Sequence, residues 1–143
     1  MMFKDFIATF FIAIFIIIIC GIYSYKADNI KALAYNCYFE ARNSTIEDQI
    51  ATMVTVMNRG TPSVEVYKKD QFSWTKAYAE PADNPALDKC KALAEMVYHN
   101  YNLFKSKDIC KHYTSADKKY GEGHWTKSFK RKAQIGKHFY YCN

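Results

Sequence analysis

The chain has 143 residues, of which 50% are hydrophobic, and it carries a formal net charge of +6 at pH 7. This length allows one domain with a modest core, and the sequence contains no internal repeat and no low-complexity linker. The positive charge favours polyanionic partners: nucleic acid, anionic lipid or anionic cell-wall polymers.

The first part of the chain is apolar. Residues 6–25, FIATFFIAIFIIIICGIYSY, contain no charged side chain. About 20 such residues are what a helix needs to cross the hydrocarbon core of a bilayer. A cleaved signal peptide has a shorter apolar region followed by small residues, whereas this region ends in Tyr23 and Tyr25 and is followed by Lys26. We therefore predict an uncleaved signal anchor over residues 1–26 and one domain over residues 27–143.

Charge and cysteine content indicate where the domain resides. Lys4 and the α-amino group favour a cytoplasmic amino terminus, which places residues 27–143 outside the cytoplasm. Four cysteines lie beyond the anchor, at Cys37, Cys90, Cys110 and Cys142. An even number in a small exported domain is typical of two disulfides, which four cysteines can form in three ways. An exported location also makes nucleic acid the least favoured partner.

The segment DNIKALAYNCYFEARN predicts the first helix of the domain, with Asp28 or Asn29 as its N-cap. Its apolar residues follow the helical period: Ile30, Leu33, Ala34, Cys37, Tyr38 and Ala41. Glu40 lies roughly 80° from the centre of this stripe, at its edge. Beside Tyr38 and Phe39, a carboxyl group there has apolar surroundings that disfavour its charge and raise its pKa. Glu40 is therefore a candidate general acid.

The segment STIEDQIATMVTVMNRG predicts a second helix. Ser44 and Glu47 fit a capping box, and Gly60 with Pro62 ends the helix. Its predicted buried face consists of Ile46, Ile50, Met53, Val54 and Met57. This assignment uses Glu47 as a cap and leaves Asp48 on the helix surface.

A third helix follows a long aromatic loop over residues 67–84. Asn84 is its predicted N-cap, and Pro85 lies in its first turn. Its apolar face consists of Leu87, Cys90, Ala94, Val97, Tyr98 and Tyr101.

Two strands, ICKHYTS and AQIGKHFYYC, are predicted after the helices and are joined by a basic loop. An antiparallel pair with His112 opposite Tyr140 places Cys110 opposite Cys142. The other two cysteines, on the first and third helices, then pair with each other, although sequence alone leaves the connectivity open. The predicted fold is α+β and mostly helical: three main helices followed by a small antiparallel β-hairpin, all preceded by one transmembrane helix.

Several sequence pieces occur in a recognisable order: YFEAR, EDQIATMVTVMNR, QFSWT, HY, a tryptophan, and IGKHFYY. Together they resemble the SleB-type cell-wall hydrolases, a family that includes spore cortex-lytic enzymes and some phage lysins. The resemblance covers residues 30–141. It implies a lysozyme-like fold and cleavage of the glycan strands of peptidoglycan, with Glu40 as the catalytic acid.

Glycosidic cleavage needs an acid and usually a second carboxylate that serves as base or nucleophile. The sequence offers four further carboxylates for that role: Glu47, Asp48, Asp70 and Glu122. One carboxylate suffices for lytic transglycosylation, in which the muramic-acid 6-hydroxyl attacks its own anomeric carbon. We therefore favour a lytic transglycosylase that cleaves MurNAc–GlcNAc bonds. The resemblance alone implies that it acts as a cell-wall lysin or endolysin. A hydrolytic muramidase or glucosaminidase with a second carboxylate is the alternative.

The matched pieces also supply candidate substrate-binding residues: Gln49, Asn58, Phe72, Trp74, His112, Tyr113 and Trp125. The two amides can bond to sugar amides or hydroxyls, and the aromatic rings can stack on sugar faces. Tyr113 can bond to the departing oxygen or steady the acid. Arg42 and Arg59 are expected to brace loops or contact carboxylates of the wall peptide.

Two other functions fit parts of the sequence. His112, His124 and His138 could hold the zinc ion of a wall amidase, but their spacing matches no standard ligand pair, so we predict no metal and no cofactor. The second alternative function is that of a membrane-tethered module that binds the wall without cleaving it. Replacing Glu40 by Gln distinguishes the two, because the substitution should not affect a binding module. The predicted partners are peptidoglycan glycan strands and the membrane, with the protein a monomer that binds no nucleic acid.

Overall fold

A computed structural model describes residues 2–69, 71–77, 80–82, 84–115 and 124–142, with the backbone alone for residues 2–6 and 8. Helix α1 spans Met2–Asn36 without a break. The predicted N-cap at Asp28 or Asn29 is therefore wrong, because no proline interrupts this stretch and helix continues through both residues. The Asn29 side chain instead serves another helix: its Oδ1 accepts hydrogen bonds from Ser63 N at 3.0 Å and Ser63 Oγ at 2.8 Å.

The amino-terminal half of α1 is apolar and exposed. Large side chains such as Phe11, Phe15 and Ile17 are more than half exposed. Among the side chains that the structure describes, none before Ile30 belongs to the hydrophobic core. Among the residues described, Thr9–Ala41 is the one stretch long and apolar enough to cross a membrane, a test that a signal sequence also passes. The core residues that the structure describes therefore all lie within residues 30–140.

The helix widens where α1 ends. Cys37–Ala41 form one π-helical turn in which Cys37, Tyr38 and Ala41 are buried and Glu40 is half-buried. Sequence periodicity predicted an ordinary helix here. A π turn inserts an extra residue into the helical ladder, and such insertions are frequent at functional sites.

Helix α2 spans Ile46–Arg59, but its first turn differs from the prediction. Thr45 is the N-cap, and its Oγ1 accepts from Asp48 N, so Ser44 and Glu47 do not form a capping box. Glu47 and Ile46 are exposed, whereas Asp48 is completely buried. The buried and exposed positions of this turn are therefore the reverse of the prediction, because a strand that packs there supplies hydrogen-bond partners for Asp48.

The remaining helices agree better with their local signals. Gly60 follows the end of α2, as predicted, and a short helix α3, Pro62–Val66, begins directly afterwards. The aromatic loop contains one 3-10 turn, Ser73–Ala77. Helix α4 spans Pro85–His99 and α5 spans Tyr101–Phe104. Asn84 caps α4 as predicted, since its Oδ1 accepts from the amides of Ala86 and Leu87.

The carboxyl-terminal region is a three-stranded antiparallel sheet rather than a hairpin. Its strands are β1, His112–Ser115, β2, Lys130–Ile135, and β3, His138–Cys142, in the order β1-β3-β2. The end of the basic segment that was predicted as a loop supplies the first half of β2, residues 130–132, and the start of the predicted strand supplies the second half. A turn at Gly136, where φ is +51°, separates β2 from β3 and divides the single strand predicted for AQIGKHFYYC.

The predicted strand register is also corrected. His112 pairs with Tyr141, one residue from the predicted partner Tyr140. The disulfides nevertheless form as favoured from the sequence: Cys37–Cys90 joins the π turn to α4, and Cys110–Cys142 joins β3 to the segment before β1. Cys110 precedes the paired residues of β1, so the bridge does not depend on their register.

Candidate active site

A cavity of about 460 Å³ lies where the π turn, the end of α2 and strand β1 meet. Residues predicted from the sequence contribute five of its lining side chains: Glu40, Phe72, His112, Tyr113 and Trp125. The structure thus brings together residues that lie as far as 85 positions apart in the chain. The cavity also includes Arg59, Gln71, Ser73, Thr114, Ser115 and Phe129.

Aromatic packing holds the turn that carries Glu40. The Phe39 ring stacks on Trp74, with ring centroids 4.6 Å apart and planes 18° from parallel, and meets the Tyr38 ring edge-on at 5.2 Å. Trp74 is not among the lining residues, so it supports the turn from behind rather than facing the cavity. Glu40 therefore projects from a turn whose neighbours are fixed on both sides.

Tyr113 is a neutral hydrogen-bond donor within the site. Its ring is buried, and its hydroxyl lies 3.3 Å from Asn36 Nδ2 and 3.4 Å from Asn36 Oδ1. Burial, and then the negative charge of Glu40, raise the pKa of Tyr113 well above its ordinary value of 10.0. The phenol therefore keeps its proton near the carboxyl group of Glu40.

Arg59 supplies the positive charge of the cavity. Its Nε donates a hydrogen bond to Lys111 O, and its guanidinium lies 5.3 Å from the centre of the Phe72 ring. Burial lowers the pKa of Arg59, while the negative charges of Glu65 and Glu40 act in the opposite direction. This residue therefore braces the chain before β1, as predicted, and also lines the same cavity as Glu40, which the sequence did not reveal.

An aromatic wall forms on the other side of the cavity. The His112 ring lies 4.5 Å from Phe129 and 5.5 Å from Trp125, and Trp125 packs edge-on against Tyr141 at 5.4 Å. Trp125 retains 36% of its exposure, so one part of the indole stays open to a ligand. Burial, together with the charges of Arg59 and Lys111, lowers the pKa of His112, which favours its neutral form.

Two predicted residues, Gln49 and Asn58, bond to backbone instead of facing the cavity. Gln49 is 1% exposed, and its Nε2 donates to the carbonyls of Ala41 at 3.1 Å and Arg42 at 3.2 Å. Asn58 Nδ2 donates to Ile109 O and Cys110 O. Gln49 thereby fixes the end of the Glu40 turn, and Asn58 fixes the chain that leads into β1. Neither amide is placed to bind a sugar directly.

Asp48 was expected on the surface and is instead the centre of a buried hydrogen-bond network. Its carboxylate accepts from His138 Nδ1 at 2.9 Å, Tyr140 OH at 2.7 Å, Lys137 N at 3.0 Å and Ser44 Oγ. Burial alone raises the pKa of Asp48, but the hydrogen bonds from His138, Ser44 and Tyr140 outweigh it and leave the pKa below 3.8. No local signal marks this residue, because three of its four partners lie about 90 positions later.

The carboxylates considered as partners for Glu40 are distributed differently. Glu47 is exposed on α2, and Asp48 is enclosed by its own network. Asp70 and Glu122 lie outside the described residues. Within the part of the chain that the structure describes, Glu40 is the one carboxylate that lines the cavity.

The three histidines of the zinc hypothesis occupy separate environments. His138 is buried against Asp48, His112 packs on Phe129, and His124 Nδ1 lies 3.0 Å from Thr126 Oγ1. Across the described residues, no group of three or more His, Cys, Asp or Glu side chains is arranged to hold a metal ion. The structure therefore gives the amidase hypothesis no support.

Comparison with known proteins supports the architecture. No family model and no curated protein matches the chain. The crystal structure of the catalytic domain of the Bacillus cereus SleB protein matches with a TM-score of 0.60 and 20% sequence identity. The match covers 82% of this chain and 91% of that domain. The protein therefore shares its mostly helical fold, with a small antiparallel sheet, with the SleB catalytic domain.

Proposed function

We propose that the protein cleaves the glycan strands of peptidoglycan and that Glu40 is the proton donor. The observation that carries this proposal is the position of Glu40 in a cavity with a neutral phenol, a guanidinium and an aromatic wall. Bond cleavage between sugars requires a proton for the departing oxygen, and a half-buried carboxyl group can supply it. The fold shared with the SleB catalytic domain supports the same function.

We further propose lytic transglycosylation as the reaction. Glu40 donates its proton to the glycosidic oxygen as the bond to the muramic-acid anomeric carbon breaks. The carboxylate then accepts the proton of the muramic-acid 6-hydroxyl while that oxygen bonds to the same carbon. No water is consumed, and Glu40 returns to its protonated form. One carboxylate completes this cycle, which fits the single carboxylate among the described lining residues.

The other cavity residues have matching tasks. Tyr113 can donate a hydrogen bond to the departing oxygen or to Glu40, because burial keeps the phenol protonated. The open face of Trp125 and the His112 ring offer a platform for the apolar face of a sugar. Arg59 can stabilise the negative charge that Glu40 carries between the two proton transfers.

We place the activity outside the cytoplasm, with the protein held to the membrane by its amino-terminal helix. The apolar stretch of α1 is long enough to cross a bilayer. Two disulfides fit an oxidising compartment, since such bonds are rare in the cytosol.

Mass spectrometry of the products tests the proposal. Residues 27–143 contain the whole described core and can be produced without the apolar segment. Digestion of purified peptidoglycan should release muramic-acid ends that are lighter by one water, and Glu40→Gln should release none. Ordinary reducing ends would instead establish hydrolysis, and Asp70→Asn and Glu122→Gln would then be tested for the second carboxylate. Cosedimentation with the wall without any fragment release would identify a binding module and refute the proposed activity.

A further inference from the structure

The membrane segment and the candidate catalytic residue belong to one continuous piece of secondary structure. Helix α1 runs from Met2 to Asn36, and the π turn that carries Glu40 follows without an intervening loop. Most tethered domains are joined to their anchor by an exposed, flexible linker. Here the residues between Lys26 and Glu40 are helical throughout.

The carboxyl-terminal part of α1 is also fixed within the domain. Ala32, Leu33 and Ala34 are fully buried, and the disulfide Cys37–Cys90 joins the following turn to α4. Nearer the apolar segment, Asn29 bonds to Ser63, and the Tyr25 hydroxyl lies 3.3 Å from Thr61 Oγ1. Swivelling the domain about α1 would break these contacts, so the helix and the domain move as one body.

This construction fixes the height of the cavity above a bilayer. Lys26 is the first charged residue after the apolar segment, and Asn36 lies ten residues further along the helix. At 1.5 Å per residue, and with one more turn to Glu40, the carboxyl group stands about 20 Å above the end of the apolar segment. An ordinary helix tilt of about 20° shortens this height by only a few per cent.

We propose that α1 is a tether of fixed length and that the substrate is glycan still joined to a lipid of the same membrane. This inference rests on the proposed function and on α1 crossing the bilayer. A strand whose end is attached to a membrane lipid must pass through the height of the cavity as it leaves the surface. Glycan of the finished wall reaches that height only where it lies against the membrane. The fixed tether therefore selects the lipid-joined strand.

Changing the length of the tether tests the inference. We insert helical, alanine-rich segments of 7 or 18 residues between Lys26 and Ala27. They raise the cavity by about 10 Å and 27 Å. The 18-residue insert makes about five complete helical turns, so the domain faces the same direction as in the original chain. The matched control is a flexible insert of 18 glycine and serine residues. Each full-length protein is placed in vesicles that contain lipid-linked glycan strands, and mass spectrometry measures the glycan stub left on the lipid.

The expected result is a stub that lengthens with each helical insert and a broad range of stub lengths with the flexible insert. Identical stubs from the original chain and the 18-residue helical insert would overturn the inference. So would release of the full-length protein from vesicles by alkaline carbonate, because the tether requires an integral helix.

Soluble glycan chains separate this inference from the proposed function. They diffuse to the cavity at any height, so every variant should cleave them at the rate of the original chain. Cleavage of soluble chains without cleavage of lipid-linked strands would refute the fixed tether and leave the enzymatic function intact. Failure of every protein, including residues 27–143 alone, to cleave soluble chains would refute the proposed function itself.

Discussion

Replacing Asp48 by Ala should destabilise the domain strongly, although this residue lines no part of the cavity. The substitution removes the carboxylate that accepts from four donors, two of which, His138 Nδ1 and Tyr140 OH, belong to buried side chains. Tyr140 OH keeps only its longer contact of 3.3 Å with the backbone carbonyl of residue 48. A buried donor that loses its acceptor costs about 1–3 kcal/mol, and the cost is larger where the lost acceptor is charged, as the Asp48 carboxylate is. We therefore expect the free energy of unfolding to fall by about 4 kcal/mol, a large share of the roughly 5–15 kcal/mol typical of a folded domain.

The assay is urea unfolding of residues 27–143 at pH 7, monitored by tryptophan fluorescence. Asp88→Ala is the matched control, because Asp88 is an exposed acid on α4 that pairs with Lys91 at 3.4 Å. Exposed pairs of this kind contribute about 0–1 kcal/mol, so the control should change stability by no more than that. A loss below about 1 kcal/mol for Asp48→Ala would refute the stabilising role inferred from the four hydrogen bonds.

The effect should also depend on pH in a defined direction. The folded pKa of Asp48 lies below its ordinary value of 3.8, so the ionised carboxylate contributes its full stability above that value. This contribution is lost as the pH falls through the folded pKa. The difference in stability between the original domain and Asp48→Ala should therefore be constant from neutral pH down to about pH 5 and narrow in stronger acid.

Further substitutions test other parts of the structure. Gly136→Ala should lower the urea midpoint by an amount equivalent to at least about 2 kcal/mol, since φ is +51° and a Cβ would lie 2.7 Å from Asp48 Oδ2; an unchanged midpoint would contradict the turn. Glu40→Gln should reduce the cleavage rate by at least about 100-fold with an unchanged urea midpoint, because only the proton donor is lost. Trp125→Ala should raise KM about tenfold, equivalent to about 1.4 kcal/mol, with little change in kcat; a fall in kcat alone would remove the residue from substrate binding. Replacing both Cys110 and Cys142 by Ser opens a loop with a sequence separation of 32 and should cost about 3–4 kcal/mol in thermal or urea unfolding.

The sequence predicts the fold best where the signal is local. Asn84 before Pro85 determines the start of α4, and Gly60 determines the end of α2, because each acts on neighbouring backbone groups. The register predicted for β1 and β3 differs by one residue from the register in the structure. The position of β3 depends on the turn at Gly136 and on a third strand, neither of which was predicted from the sequence. The π turn likewise escapes detection, because its residues have the same apolar periodicity as an ordinary helix.

In the candidate site, too, the sequence reveals residues with a local signal and misses those that depend on distant parts of the chain. The aromatic neighbours of Glu40 in the sequence made it a candidate acid, which stays a prediction, and the structure places it in one cavity with Tyr113 and Trp125. Gln49 and Asn58 were expected to bind sugars, but an amide has the same appearance in a sequence whether it bonds to a ligand or to backbone. The burial of Asp48 depends on His138, ninety positions away, and no pattern around either residue encodes their meeting.

The strand order has a consequence for the order in which parts of the domain can fold. β3 lies between β1 and β2 but follows both in the chain, so neither outer strand has a partner until residues 138–142 have left the ribosome. Tyr140, the fully buried centre of this strand, arrives equally late. β1 carries His112 and Tyr113 of the cavity, and its position depends on β3. The sheet, and with it the part of the cavity that His112 and Tyr113 line, should therefore form only after β3 has emerged from the ribosome.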